Sequence, residues 1–260
     1  MEKTHFILAA APGTLPPSGA YAATIAHMSY RLGQSGHLFR TTSPSAMRGG
    51  LMVIDDVEFD GEGDPVTFCK EVLQECAGRR FSGAILQFAQ EPTPPARSIV
   101  SQLGSFFSQR ALTLYVPEAY AEASAQTKLL VSTALSGGSL RQRLTDAASQ
   151  YGASRIALDV ERVCADFFLP APNGKGHPLT LEALQALQDT HQPSIFFSSE
   201  LCSHYFTYMD STSGAHFVMF DDLGSMQKKM RLASSLGIST MLFFYPEIAE
   251  WANALLSSQQ

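Results

Sequence analysis

The stretch Asp159-Val160-Glu161-Arg162 holds the chemistry most readable from spacing alone. Residues two apart on a strand project from one face, so the carboxyls of Asp159 and Glu161 would share a side, with a guanidinium next to them. Two close carboxyls resist a second ionisation, which raises one pKa and prepares a general acid. The same spacing equally suits an internal ion pair in which Arg162 anchors a strand end. Other acids follow β-rich runs: Asp55 with Asp56, Glu91, Glu118 and Glu247. Asp55-Asp56 fits an acid–base or metal pair, or a solvated loop. Glu118 fits a hydrogen-bonding cleft residue or a structural turn.

Metal and nucleophile signatures are missing. His5, His27, His37, His177, His191, His204 and His216 are scattered without metal-ligand spacing, so no metal and no cofactor is expected. His204 and His216 are expected to face each other across a hairpin. Cys69, Cys76, Cys164 and Cys202 form no Cys-x-x-Cys pair and read as buried free thiols. Ser136-Gly-Gly-Ser139 reads as a tight turn, and no Gly-x-Ser-x-Gly elbow occurs.

These residues need elements to hold them. Apolar runs at Phe6–Leu8, His37–Phe39, Leu51–Ile54, Ala84–Phe88, Leu112–Val116, Leu129–Val131, Ile156–Val160 and Met241–Tyr245 are mostly continuous, not alternating. Strands buried on both faces read that way. Helical spacing separates them at Val66–Cys76, Ile99–Phe107, Leu140–Tyr151, Leu179–Leu187 and Met226–Leu236. Asp64-Pro65, Ser139, Thr180 and Ser225 mark helix starts, and Gly78, Gly152 and Gly237 mark helix ends. Strand and helix in alternation predict a parallel sheet. Some eight such units in 260 residues suit an α/β fold of the closed (β/α)8 TIM type, a single domain over 1–260. The rhythm breaks at 196–222, where Ile195–Phe197, Phe206–Asp210 and Phe217–Phe220 surround a Ser/Gly turn. That region predicts an inserted antiparallel hairpin.

Composition excludes some partners. With 45% hydrophobic and 16% charged residues the chain has material for a core. A net charge of −6 and a pI near 5.6 argue against nucleic acid, whose binding leans on clustered cations. Lys228, Lys229 and Arg231 read as a solvated helix face. The apolar run Phe6–Ala11 is too short for a membrane span or a signal-peptide core, so neither a membrane partner nor export is expected and the location reads as cytoplasmic. Oligomeric state is not legible.

The segment Arg80-Phe-Ser-Gly-Ala-Ile-Leu-Gln-Phe-Ala-Gln-Glu-Pro92 resembles the fourth strand of family-18 glycoside hydrolases, the chitinase-like barrels, whose motif reads Asp-Gly-x-Asp-x-Asp-(Phe or Trp)-Glu. Gly83, Leu86 and Phe88 agree with it. The hairpin, Phe220-Asp-Asp-x-x-Ser225, the following helix and Phe243-Phe-Tyr-Pro-Glu247 resemble that family's insertion and closing strand. The motif's three Asp positions hold Ser82, Ile85 and Gln87, and its general-acid Glu position holds Ala89. The resemblance implies substrate-assisted hydrolysis that needs that Glu to protonate the glycosidic oxygen and the neighbouring Asp to orient the acetamido group. Neither Gln87 nor Ala89 supplies a proton. The expected function is a non-hydrolytic barrel, a pseudoenzyme, binding a glycan or small molecule or acting as a scaffold. Asp55, Asp56, Gln87, Glu118, Tyr245 and Glu247 would be the ligand-binding positions. A hydrolase with relocated acids, Asp159 with Glu161 or Glu91 from its Pro-rich loop, is the first alternative. A partner-binding module using Tyr205, Phe206, Tyr208 and Phe217 is the second.

Overall fold

A computed structural model describes residues 4–41, 47–171 and 174–257. In chain order the strands are β1 His5–Ala10, β2 Ala23–Leu32, β3 Leu38–Arg40, β4 Leu51–Asp55, β5 Gly83–Gln87, β6 Thr113–Pro117, β7 Lys128–Ser132, β8 Ile156–Asp159, β9 Cys164–Phe168, β10 His177–Pro178, β11 Phe196–Ser198, β12 Ser203–Asp210, β13 Gly214–Phe220 and β14 Thr240–Phe244. The helices are α1 Pro65–Arg79, α2 Pro94–Ser108, α3 Leu140–Tyr151, α4 Leu181–His191, α5 Leu223–Ser235, α6 Tyr245–Ile248 and α7 Ala252–Ser257.

Eight strands pair in parallel around a closed ring, β1-β2-β4-β5-β6-β7-β8-β14 and back to β1. This is the predicted TIM-type barrel. Its interior is packed by Ile7, Leu51, Val53, Ile85, Tyr115 and Leu242, among others, one side chain in two along each strand. The intervening residues meet the helix layer. Gly83 in β5 is required by close approach: a Cβ there would stand 2.0 Å from the Thr113 carbonyl oxygen of β6. Gly83→Ala is therefore expected to force β5 and β6 apart and to destabilise by about 1–3 kcal/mol, measured as a lowered denaturant midpoint with unchanged slope.

The second barrel strand is β2, not the predicted His37–Phe39, which supplies only the short antiparallel appendage β3. A register shift between Met28 and Tyr30 turns Tyr30 out to the helix layer, where its hydroxyl donates to Glu75 at 2.8 Å. Helix starts follow the reading at Asp64, Ser139 and Thr180, whose side chains accept from first-turn amides. Ser225 is not a start: Asp222 caps α5 and Ser225 completes the capping box from the first turn. Gly78 is not a stop either, because α1 continues through it and ends on Arg80 at φ 58°.

The insert is larger than a hairpin. It begins at Cys164 and forms a five-stranded antiparallel sheet, β10-β9-β13-β12-β11, with α4 between β10 and β11. Phe206 and Val218 on one face pack with Leu184 of α4. His204 and His216 do not face each other: His204 lies opposite Phe220 and His216 opposite Tyr208.

Candidate functional site: the barrel mouth and the adjoining cleft

Inward parity carries Ile85 to Gln87, Ala157 to Asp159 and Leu242 to Phe244 at the C-terminal strand ends. All three terminal side chains line a cavity of about 50 Å3 over a floor of Val53, Ile85 and Leu242. Binding residues of such barrels stand at this end. Phe244 is 38% exposed. Asp159 is pushed up to about 7 by burial first, with the negative charges of Glu161 and Glu247 adding to it. Burial raises Glu247 as well, and Glu161 adds to that rise.

Glu161 accepts a 2.5 Å hydrogen bond from Ser132 Oγ at the end of β7, and its amide donates to Thr133 Oγ1. Arg162 does not pair with Asp159 or Glu161. Its guanidinium donates to Glu250 Oε1 at 2.8 Å and to the Glu247 carbonyl at 2.9 Å, and lies 3.9 Å from the Trp251 ring centroid. That arginine pulls Glu247 down, against the rise from its burial, whereas Asp159 is raised chiefly by its own burial.

Beyond Glu161 opens a second cavity, about 300 Å3, with Ser136 and Arg162 on the barrel side and Cys164, Phe167 and Met219 from the antiparallel sheet. Phe167 begins a row of rings across that sheet: Phe167 to Phe217 at 6.1 Å, Phe217 stacked on Tyr205 at 5.2 Å, Tyr205 to Phe196 at 5.6 Å. The four aromatics of the predicted contact patch therefore divide. Tyr205 and Phe217 belong to this row, whereas Phe206 is fully buried and Tyr208 is stacked between His191 and His216.

One buried knot holds sheet to barrel. Lys229 Nζ donates to Asp221 Oδ2 at 2.5 Å, with both side chains wholly buried. Asp221 also accepts from the Val163 amide, Ser203 Oγ and Ser225 Oγ. Lys229 is thus no part of a solvated face. Met226, Met230 and Ala233 share its stripe of α5, and that i, i+3, i+4, i+7 spacing was the available signal. Lys228 covers the Phe197 ring at 3.6 Å.

The remaining candidates are placed as follows. Asp55 accepts from Arg31 Nε at 2.8 Å. Asp56 is buried and accepts from the amides of Ala89 and Gln90, clamping the exit of β5. Ala89 is exposed just past that strand, and Glu91 is exposed in the loop before α2. Glu118 takes both terminal nitrogens of Arg143. Tyr245 starts α6 against Tyr21, and Phe244 of the same Phe243-Phe-Tyr245 run is the closing-strand aromatic that lines the mouth cavity. Among the described residues no group of three His, Cys, Asp or Glu is placed to hold a metal, and no helix is long and apolar enough to cross a membrane.

No protein-family model matches the chain. Solved structures do. The spore cortex-lytic enzyme SleL of Bacillus cereus aligns with TM-score 0.65 and 18% identity, covering 93% of this chain and 70% of that one. A chitinase from Chromobacterium violaceum aligns with TM-score 0.66 and 14% identity over 93% of each chain. A mutant class V chitinase from Nicotiana tobaccum, in complex with NAG4, aligns with TM-score 0.64 and 11% identity over 93% of each. The chain has the chitinase-like barrel fold, and at these identities the likeness is one of fold.

Proposed function

We propose that this chain binds an N-acetylglucosamine-containing glycan at the barrel mouth and does not cleave it by the strand-four chemistry of chitinases. The observation that carries the reading is the trio Gln87, Asp159 and Phe244 lining one mouth cavity. Phe244 offers a ring face to a sugar, Gln87 offers both a donor and an acceptor, and a protonated Asp159 offers a donor. Apolar surface with few convergent polar groups is the usual make-up of a small-ligand site. By the resemblance, Gln87 takes the position of the orienting Asp and Ala89 that of the general acid, and neither side chain gives up a proton. NAG4, the ligand of the tobacco chitinase variant, is the first ligand to try. The cleft walled by Phe167 and Met219 would take further sugar units.

Titration calorimetry with NAG4 tests this. Saturable heat is expected, with affinity about tenfold weaker in Phe244→Ala, a loss of about 1.4 kcal/mol. A flat titration at millimolar ligand leaves the barrel as a scaffold and ends the binding reading.

A second reading is favoured by Asp159, whose carboxyl near pH 7 suits a general acid. Here Asp159 protonates a leaving group and Glu161, held by Ser132, is its partner carboxylate. Turnover of aryl N-acetylglucosaminides that disappears in both Asp159→Asn and Glu161→Gln would support it, and turnover equal to the variants' would exclude it.

The cytoplasm is the proposed compartment, since Cys69, Cys76, Cys164 and Cys202 are all free thiols, as a reducing environment allows. Residues 1–260 are proposed as one domain, with the Asp221–Lys229 knot as the tie between barrel and insert.

A further inference from the structure

The antiparallel sheet carries polar side chains that the barrel mouth does not use. Asp166 on β9, His216 on β13 and Ser213 in the β12–β13 turn stand in line. His216 Nδ1 is 2.9 and 3.1 Å from the two Asp166 carboxylate oxygens, and His216 Nε2 is 2.8 Å from Ser213 Oγ. Tyr208 donates its hydroxyl to Asp166 Oδ2 at 2.9 Å and its ring stacks on His216 at 4.4 Å, which fixes both partners. His216 is 9% exposed, and Ser213 is partly exposed at the turn.

We propose that Ser213, His216 and Asp166 form a nucleophilic relay, separate from the barrel mouth, that takes acyl groups from activated esters. Asp166 holds the imidazole with its hydrogen on Nδ1, so the neutral ring presents a lone pair at Nε2 and the Ser213 hydroxyl is the donor at hand. At rest the single hydrogen of that hydroxyl is donated to Asp210 Oδ1, also at 2.8 Å, and it must turn to His216 Nε2 for the attack. In the reaction Ser213 Oγ attacks the ester carbonyl carbon while its proton passes to His216 Nε2. The bond from carbonyl carbon to the leaving oxygen breaks, and the imidazolium protonates that oxygen. Water then attacks the acyl-serine by the same proton path and releases the carboxylic acid, with no change of oxidation state.

The turn also sets the substrate class. The amides of Thr212 and Ser213 both donate to Asp210 at 2.9 Å, so neither is free to stabilise an oxyanion. That favours aryl esters and phosphonates, whose good leaving groups need little such help.

The test is labelling of the folded full chain with a fluorophosphonate probe, located by peptide mass spectrometry, alongside p-nitrophenyl acetate turnover. Label on Ser213 is expected, abolished in Ser213→Ala, reduced at least tenfold in His216→Gln and retained in Ser211→Ala. Absence of label on the folded wild type overturns the proposal, as does label that survives Ser213→Ala. Unchanged labelling in a folded His216→Gln would reduce Ser213 to a merely exposed hydroxyl and overturn the relay. Ser213→Ala removes one oxygen from a turn, so it remains informative if His216→Gln fails to fold. Because the glycan titration reads the barrel mouth, the two proposals fail independently.

Discussion

Asp221→Ala is expected to lower stability by about 3–5 kcal/mol, the usual effect of removing one partner of a buried ion pair. The melting temperature should fall on the order of 10 °C. The cost is not the lost attraction alone. Lys229 would remain wholly buried without its counter-ion, and the Val163 amide and the hydroxyls of Ser203 and Ser225 would each lose an acceptor. Unsatisfied buried donors are themselves expensive. The double variant Asp221→Leu with Lys229→Met removes both charges, and most of the loss should return. Thermal melts of the single and double variants check this. Equal melting of Asp221→Ala and wild type would mean that the knot does not tie the insert to the barrel.

Asp159→Asn is expected to stabilise the protein, and to do so only when the pH is high enough. The carboxyl titrates near 7 in the fold against an ordinary 3.8. Between those values the native state holds a proton that the unfolded chain has lost, so the group's contribution to stability falls as pH rises from about 4 to about 7. Above 7 both states are ionised and the penalty is constant. At about 1.36 kcal/mol for each pKa unit it reaches up to about 4 kcal/mol. Asparagine carries no charge to bury, so the variant should gain most at pH 8 and little at pH 4. Denaturant unfolding at the two pH values measures the difference. A gain independent of pH would show that Asp159 is not a buried, proton-holding acid, and the hydrolytic reading would lose its observation. A protein that keeps such an acid at its mouth gives up stability there, as functional sites commonly do.

Much of the barrel was legible because β4, β5, β6, β7, β8 and β14 are short apolar runs buried on both faces, and such runs announce themselves. β2 did not. Its positions His27, Ser29 and Arg31 are polar, yet His27 and Ser29 are buried and Arg31 is spent on Asp55 and Glu58. Local pattern reports hydrophobicity, whereas burial is decided by neighbours far along the chain. The insert was half legible for the same reason: the β12–β13 turn is local, but the pairing of β13 with β9 joins residues some fifty apart and leaves no local trace. Of the site, Asp159 could be found from its spacing to Glu161. The arginine beside them could not be followed to Glu250 and Trp251, because those partners come from the far end of the chain. Lys229 was misread since a lysine in a charged triplet looks solvated until the apolar stripe of α5 is laid over it.

Saturation-transfer NMR on NAG4 mixed with the protein reads binding and cleavage from one sample. Transfer to the acetyl methyl groups, with the ligand spectrum unchanged after a day, is the result predicted for a barrel that holds a glycan without the strand-four acid. Resonances of shorter oligomers growing in over that day, or no transfer at millimolar NAG4, would contradict it.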